Sequence, residues 1–229
     1  MRKAAARGSA GLLLGALLLT ACAPRRATVV PNPEEIPQVL ADYVDSGRYA
    51  RDVEDAVAPA KAFLESHARG AKLAVVLDID ETALSNLPAE RANRFAYTAA
   101  TTCDLARGPC GLRAWQRMAR AEAIAPVLDL DREARRLGYA VIFLSGRSEG
   151  LRAATEENLR KAGYAWDRLV LRRGHELVET ATRFKSAERT KLEAEGFRIV
   201  ESVGDQRSDL EGGHAERTFK LPNPFYFIP

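Results

Sequence analysis

The order of apolar and polar positions predicts helices near the start of the chain and alternating strands and helices after residue 125. Apolar residues recur at helical spacing between residues 38 and 67, which predicts two helices there. The continuous apolar run 73–77 is typical of a buried parallel strand. The later pattern predicts helices over 126–137, 149–162 and 184–195, and strands over 139–144, 167–171 and 198–203.

Strands that alternate with helices of this length indicate an α/β fold with a doubly wound parallel sheet, the Rossmann-like class. Residues 84–125 interrupt the alternation. They contain no obvious strand pattern, but apolar residues around Trp115 and Met118 predict an amphipathic helix. We therefore predict one domain over 38–229, with N-terminal helices and a small helical insertion or cap at about 84–125.

Residues 1–21 have the proportions of a signal peptide. A basic start precedes the apolar run 12–19, which is too short to span a membrane. The following Leu-Thr-Ala-Cys resembles a bacterial lipobox, in which Cys22 is lipidated and becomes the first residue after cleavage. The alternative is an ordinary secretory signal with a chance cysteine. The four prolines within 22–37 predict a tether.

The lipobox also predicts where the protein works. A lipidated Cys22 with more than one acyl chain would anchor the protein stably in the bacterial cell envelope. Ala23, rather than an acidic residue, follows that cysteine, which in enteric-type sorting favours the outer membrane. We expect a lipid-anchored protein whose domain is exported to the periplasm or to the cell surface.

Charge and cysteine usage are consistent with export. The chain carries a formal net charge of +3, and Arg2, Lys3 and Arg7 of the predicted signal account for all of it. A neutral mature protein without dense basic runs does not favour a nucleic-acid polymer as a partner. In an oxidising compartment, Cys103 and Cys110 are expected to form a disulfide. A two-cysteine metal site is the alternative.

Two carboxylates follow the predicted strand 73–77. They are Asp78 and Asp80, in the sequence Asp-Ile-Asp-Glu-Thr. Open α/β sheets place their chemistry at the carboxyl ends of their strands. Two anions in one crevice repel each other unless a cation or a proton lies between them. Because Mg²⁺ prefers hard oxygen ligands, the pattern predicts a metal-assisted carboxylate site.

Polar residues also follow the later predicted strands. Ser145 comes directly after the second strand, and Asp205 and Asp209 follow the last one in Gly-Asp-Gln-Arg-Ser-Asp. Lys185 lies at the start of the helix between them. The structural alternative is that the residues at strand ends serve as helix N-caps.

Taken in order, these residues resemble the four motifs of the haloacid dehalogenase superfamily: Asp-x-Asp, a Ser or Thr after the second strand, a Lys, and Gly-Asp-x-x-x-Asp. The resemblance covers about residues 35–229. The ending 216–226 is similar to the acid phosphatase subfamily that contains bacterial outer-membrane acid phosphatase lipoproteins and plant vegetative storage proteins. Arg207 departs from the family, where an aromatic residue is common at this place.

The resemblance implies an acid phosphatase that hydrolyses phosphomonoesters through an aspartyl-phosphate. Asp78 would be the nucleophile, and Asp80 would be the general acid that protonates the leaving group and later the base that activates water. Ser145 and Lys185 would bind the phosphate. The cofactor implied is Mg²⁺, which would bind Asp78, the main-chain carbonyl of Asp80, and Asp205.

The remaining polar and aromatic residues are interpreted from their positions. Asp209 is expected to hold Lys185 or a metal-bound water. Arg147 and Glu81 are interpreted as structural. Three aromatic residues are expected to belong to the core of the insertion rather than to stack on a substrate: Phe95, Tyr97 and Trp115. The alternatives to a general acid phosphatase are a 5′-nucleotidase-type specificity, a non-catalytic binding or storage lipoprotein on the same fold, and an envelope scaffold.

The lipobox generates the first prediction. Protein expressed with its signal should partition into detergent, and Cys22→Ser should release it or block its maturation, because the acyl chains would be attached at that sulfur. Phase partitioning and mass analysis of the mature N-terminus check this. A soluble mature form that begins at another residue would contradict it.

Overall fold

In the computed structural model, residues 32–67 and 69–228 are described, and this part of the chain contains seven α-helices and seven strands. The helices are α1 (Ile36–Asp45), α2 (Arg48–Ser66), α3 (Leu87–Ala92), α4 (Leu112–Arg117), α5 (Ala125–Arg136), α6 (Arg152–Lys161) and α7 (Ala181–Ala194). The strands are β1 (Leu73–Leu77), β2 (Leu84–Ser85), β3 (Glu122–Ala123), β4 (Ala140–Ser148), β5 (Arg168–Arg172), β6 (Arg198–Gly204) and β7 (Arg217–Lys220).

Five strands form one parallel sheet in the order β5-β4-β1-β6-β7. Val75 of the central strand β1 pairs in register with Val141 of β4 on one side and with Glu201 of β6 on the other. The chain first builds outward from β1 to β5 and then returns to the opposite side of β1. This is the predicted doubly wound topology, and its switch point lies between the carboxyl ends of β1 and β6.

Both faces of β1 are buried, which explains its continuous apolar sequence. Val75 and Leu77 belong to a large core cluster with residues of α2 and α5. Ala74 and Val76 point to the opposite face and pack in a smaller cluster with Phe184 of α7. Successive side chains on a strand point to opposite faces, so β1 connects the two cores and holds its carboxyl end in a fixed place.

Residues 84–125 contain helices α3 and α4, and a small sheet joins the two ends of this segment. β2 and β3 pair antiparallel, with Leu84 opposite Ala123. The prediction of no strand in this segment was therefore wrong, because two-residue strands are too short to leave a periodic pattern. The predicted disulfide is confirmed between Cys103 and Cys110, with an S–S distance of 1.96 Å.

Other boundaries differ by a few residues from the expectations. β4 continues past Leu144 to Ser148, with an irregular register between Ser145 and Ser148. The edge strand β7 was not predicted, since its short and largely exposed sequence has no apolar run. Helix α1 begins at Ile36, within the predicted tether. The predicted signal and lipidation site lie outside the described residues.

Within residues 32–67 and 69–228, none of the helices combines the length and the hydrophobicity that a membrane crossing requires.

One buried acid lies in the middle of the sheet rather than at the carboxyl ends of its strands. Glu201 of β6 is fully buried, and neither of its carboxyl oxygens has a hydrogen-bond partner among the described residues. Its register with Val75 places it on the face that α2 and α5 cover. Burial raises the pKa of Glu201 to about 8, because the charged form has nothing to replace water.

We predict that Glu201 makes the folded protein less stable as the pH rises. Between pH 4.5, the ordinary pKa of a glutamate, and about pH 8, the unfolded chain loses the proton that the folded chain keeps. The free energy of unfolding therefore falls by up to about 1.4 kcal/mol for each pH unit in this range. Glu201→Gln should remove this dependence, because glutamine does not titrate. Urea unfolding of both proteins from pH 4.5 to 8 measures it.

The exposed Glu157 on α6 offers a matched control, since Glu157→Gln changes the same group at the surface. The two stability curves of wild type and Glu201→Gln should converge at pH 4.5 and separate upward from there. Curves that stay parallel over the whole range would refute the assignment.

Candidate active site

The chain makes a sharp turn where β1 ends. The main-chain N–H of Asp78 still donates to the carbonyl of Val203 at 3.0 Å, so the pairing with β6 continues to this residue. Beyond it, the carbonyl of Ile79 accepts from the N–H of Leu84 at 2.8 Å, and Glu81 adopts a left-handed φ of 53°. This turn directs Asp78 and Asp80 into different surroundings although they are only two residues apart.

Four predicted residues meet at the switch point of the sheet. The carboxylates of Asp78, Asp205 and Asp209 are buried, and one oxygen of each lies within 4.8 Å of the others. Lys185 Nζ donates to Asp78 Oδ1 at 2.6 Å and also donates to Asp209 Oδ1. One ammonium group thus pairs directly with two of the three buried carboxylates.

Asp205 is held by neutral donors from three parts of the chain. Thr82 Oγ1 donates to Asp205 Oδ1 at 3.0 Å. Gln206 Nε2 and Asn223 Nδ2 donate to Oδ2 at 2.6 and 2.7 Å. These contacts fix the orientation of the carboxylate without neutralising its charge.

The charges of the cluster are unbalanced, and the pKa values reflect this. Burial, together with the charge of Asp209, raises the pKa of Asp78 well above its usual value, although Lys185 opposes the rise. Burial and the charge of Asp209 also raise the pKa of Asp205. Burial would lower the pKa of Lys185, but the charges of Asp209 and Asp78 outweigh it and raise this pKa. The ammonium stays charged while the cluster keeps an excess of negative charge.

This excess fits a divalent cation. With all groups ionised, three carboxylates and one ammonium leave two negative charges, in a buried place where isolated charge is very unfavourable. Carboxylate oxygens are the donors that hard divalent cations prefer. The donor set of Asp78, Asp205 and Asp209 therefore suits such an ion.

Asp80 lies in a different environment from Asp78. The guanidinium of Arg147 donates to both of its oxygens, from Nη2 to Oδ1 at 2.7 Å and from Nε to Oδ2 at 2.9 Å. Arg147 is itself buried and also donates to Thr155. Burial would raise the pKa of Asp80, but the charge and hydrogen bonds of Arg147 outweigh it and lower this pKa. The interpretation of Arg147 as structural missed this direct contact with a predicted catalytic residue.

Asn86 connects Asp80 to the insertion. Its Nδ2 group donates to Asp80 Oδ1 and to Glu81 Oε2, both at 2.8 Å, and its Oδ1 accepts from Trp115 Nε1 at 2.8 Å. Gln116 Nε2, from the same helix α4, lies 3.2 Å from Asp80 Oδ2. The insertion therefore helps to orient the carboxylate of Asp80.

The remaining predicted residues are placed as follows. Leu77 of β1 pairs with Phe143 of β4, so Ser145 lies at the same edge of the sheet as Asp78. Ser145 is buried, and its Oγ accepts a hydrogen bond from the N–H of Arg147 at 3.3 Å. Asp209 contacts Lys185, as expected, and its Oδ2 also accepts from the N–H of Gln206 at 2.8 Å, which caps the turn after β6.

The aromatic residues of the insertion divide into two groups. Trp115 is buried, and the ring of Phe95 stacks on Phe225 with the centroids 5.6 Å apart, so both belong to the core. Tyr97 was assigned to the core with them, but its side chain is exposed. Arg207 is also exposed, at the start of the turn that carries Asp209.

Several residues of this site were not found from the sequence. Arg147, one residue beyond the Ser145-Gly146 pair, was recognised but assigned no contact with Asp80. Asn86 lies six residues past Asp80, and no spacing rule points to it. Gln116 and Asn223 come from distant segments, and only the folded chain reveals that they reach the same edge.

A parallel α/β sheet with buried carboxylates and a lysine at its switch point has the groups that phosphoryl transfer needs, which are oxygen donors for a cation and a fixed positive charge. The family description "HAD superfamily, subfamily IIIB (Acid phosphatase)" matches residues 16–229. The chain belongs to this family, and it is a phosphomonoester hydrolase of the acid phosphatase class.

Named relatives agree with this placement. "Acid phosphatase 1" of Solanum lycopersicum is 36% identical over 200 residues, which are 86% of this chain and 76% of the relative. "Vegetative storage protein 1" of Arabidopsis thaliana is 32% identical over 157 residues, which are 67% of this chain and 55% of the relative. The structure of the Class C acid phosphatase from Bacillus anthracis shares the fold, with a TM-score of 0.66, 21% identity, and coverage of 84% of this chain and 86% of that one.

The contact between Arg147 and Asp80 generates a prediction about pH. If Asp80 donates a proton to the leaving group, activity falls as the pH rises through the pKa of Asp80. Arg147→Met removes the charge that lowers this pKa, so the alkaline limb of the kcat/KM profile should move to higher pH while kcat falls.

Steady-state kinetics across the acid range tests this, with Arg160→Met as a control on the exposed face of α6. An unchanged alkaline limb in Arg147→Met, together with a normal profile in the control, would show that Arg147 does not set the protonation of Asp80.

Proposed function

We propose that this protein is a Mg²⁺-dependent acid phosphatase that hydrolyses phosphomonoesters through a phosphorylated Asp78. The observation that carries the proposal is the buried cluster of Asp78, Asp205 and Asp209 around Lys185, at the switch point of a parallel sheet. Catalysis of phosphoryl transfer depends mainly on positioning the reacting groups and on neutralising charge in the transition state. The carboxylates and the ammonium group of this cluster can contribute to both.

The first step is attack on the substrate. An oxygen of Asp78 forms a bond to phosphorus while the bond from phosphorus to the leaving oxygen breaks. Asp80 gives its proton to that oxygen, so a neutral alcohol departs. Lys185 Nζ, which already donates to Asp78, stabilises the negative charge on the transferring group, and Ser145 is the candidate hydroxyl donor to a phosphate oxygen.

The second step is hydrolysis of the phosphorylated Asp78. Asp80, now ionised, takes a proton from water, and the resulting hydroxide attacks phosphorus and frees the carboxylate. The bidentate contact with Arg147 favours the ionised form that this step needs. The same contact opposes the protonated form that the first step needs, so the proposed mechanism expects attack to be favoured by acid conditions.

The three carboxylates of the cluster would hold the metal ion, with the main-chain carbonyl of Asp80 as a further candidate ligand. When bound, Mg²⁺ would neutralise charge on the nucleophile and on the phosphate. Mg²⁺ is preferred over softer ions because every candidate ligand is an oxygen atom.

Two alternatives differ in substrate or in turnover. A 5′-nucleotidase-type specificity would use the same chemistry, and a panel of nucleoside monophosphates, sugar phosphates and aryl phosphates separates it from broad specificity. A binding or storage role is suggested by relatives with storage-protein names. Hydrolysis of p-nitrophenyl phosphate that stops with a chelator and returns with Mg²⁺ would exclude it.

We also propose that the domain works in the bacterial envelope, anchored through lipid on Cys22. The support is the lipobox-like sequence after a short apolar run, together with a disulfide between Cys103 and Cys110 that suits an oxidising compartment.

Replacing the two carboxylates of the motif should give different defects. Asp78→Asn removes the nucleophile, so neither phosphorylated protein nor product should form. Asp80→Asn keeps the nucleophile but cannot exchange a proton, which typically costs about 10²–10⁴-fold in rate. Because p-nitrophenolate needs little protonation, this variant should lose less activity on p-nitrophenyl phosphate than on an alkyl phosphate.

Rapid-quench trapping of the phosphorylated protein tests both assignments. Asp80→Asn should accumulate it, since no base remains to activate water. Phosphorylated protein in Asp78→Asn would mean that the nucleophile is another residue and that the mechanism is wrong.

A further inference from the structure

The turn after β6 continues into a short segment that lies along helix α7. We call residues 209–213 the strap. The strap begins at Asp209, whose carboxylate belongs to the cluster described above. Helix α7 carries Lys185 toward that cluster, and it also carries Ser186 and Arg189 toward the strap.

Arg189 is the main contact between α7 and the strap. It is fully buried, and each of its three guanidinium nitrogens donates to a main-chain carbonyl of the strap. Nη1 donates to the carbonyl of Asp209 at 2.8 Å, Nε donates to that of Gly213 at 3.0 Å, and Nη2 donates to that of Glu211. Because the guanidinium group is planar and rigid, its bonds to three carbonyls fix the relative positions of those carbonyls. The ammonium group of a lysine would not do this.

Two other side chains complete the attachment. Ser186 Oγ donates to the carbonyl of Gly212 at 3.1 Å, and Ser202 Oγ donates to that of Asp209 at 2.9 Å. A Cβ at Gly212 would lie 2.5 Å from Ser186 Oγ, and the φ of Gly212 is +88°. The strap therefore lies directly on α7 because glycine stands at this position.

The same close packing occurs on the other side of Asp209. A Cβ at Gly204 would lie 2.3 Å from Asp209 Oδ2, so the carboxylate rests on the backbone at the end of β6. The main-chain carbonyl of Asp209 is held by Arg189 and Ser202, while its carboxylate faces Lys185. Helix α7 therefore fixes the backbone of Asp209 through Arg189, and it also supplies Lys185, whose ammonium group pairs with the Asp209 carboxylate.

We propose that Arg189 is a positioning residue that sets the carboxylate of Asp209 against Lys185 and within the carboxylate cluster. Its hydrogen bonds go to main-chain carbonyls of the strap and not to the carboxylates of the cluster, so it acts through the strap. The inference rests on the proposed function, because it concerns the same divalent-metal site. Loss of Arg189 should let the strap move from α7, so that Asp209 no longer completes the set of oxygen donors.

Binding of Mn²⁺ without substrate, measured by calorimetry on the full domain, tests the proposal. Arg189→Met keeps the aliphatic length and removes every donor, and we expect it to weaken binding by about 10–100-fold, as is typical when an outer contact of a metal ligand is lost. Lys191→Met on the same helix is the control, since Lys191 is exposed and pairs with Glu188. It should bind Mn²⁺ as the wild type does.

A double-mutant cycle with Asp209→Asn separates positioning from general destabilisation. Asp209→Asn should itself weaken Mn²⁺ binding, and adding Arg189→Met to it should change the affinity by less than about twofold, because the residue through which Arg189 acts is already lost. Equal effects of Arg189→Met in both backgrounds would overturn the proposal. So would an unaltered affinity in Asp209→Asn.

A milder variant keeps the test decisive if Arg189→Met does not fold. Ser186→Ala removes one hydrogen bond to the strap at a half-buried position, and it should weaken Mn²⁺ binding by a smaller factor that also disappears with Asp209→Asn. Wild-type affinity in Ser186→Ala and in Arg189→Lys would overturn the proposal.

The outcomes distinguish this inference from the proposed function. A wild-type protein that binds no Mn²⁺ would overturn the metal dependence and this inference with it. A wild-type protein that binds Mn²⁺ and hydrolyses phosphomonoesters, with Arg189→Met equal to it in affinity, would overturn the role of Arg189 alone.

Discussion

The structure depends on one electrostatic constraint, which is that three buried carboxylates lie close together beside a single ammonium group. Asp78, Asp205 and Asp209 cannot all be ionised around Lys185 without a further cation or proton, because like charges in a buried place repel strongly. The two strands that supply Asp78 and Asp205 are neighbours at the switch point of the sheet, so the topology itself creates the crowding.

Asp80, the second carboxylate of the motif, lies outside this crowded cluster. Asp80 follows Asp78 by two residues, but the left-handed turn at Glu81 directs it toward Arg147, Asn86 and Gln116. The surroundings raise the pKa of Asp78 and lower that of Asp80. The proposed roles therefore require a cation beside Asp78, whose charge would favour the ionised nucleophile, and acid conditions, which protonate Asp80.

The sequence predicted the parts of the fold and of the site that depend on local pattern. Strands β1 and β4–β6 and helices α2 and α5–α7 follow from apolar periodicity, and so do the positions of Asp78, Ser145 and Asp205 at the carboxyl edge of the sheet. The two-residue strands β2 and β3 and the edge strand β7 leave no such pattern. The contacts of Arg147 with Asp80 and of Asn223 with Asp205 depend on the tertiary fold, and pattern alone does not contain it.

The excess of buried negative charge also bears on whether the protein is a catalyst or only a storage protein or scaffold. Burying charge that is incompletely paired destabilises a fold by several kcal/mol, and replacing such groups by apolar residues is often neutral or favourable. A chain retained only as a store or a scaffold would therefore gain stability by losing one member of the cluster. Here all three carboxylates and Lys185 are present, and Thr82, Gln206 and Asn223 orient Asp205 without neutralising it. Such neutral donors stabilise the geometry of a charged group and leave its charge available to a cation, as the proposed metal-dependent mechanism requires.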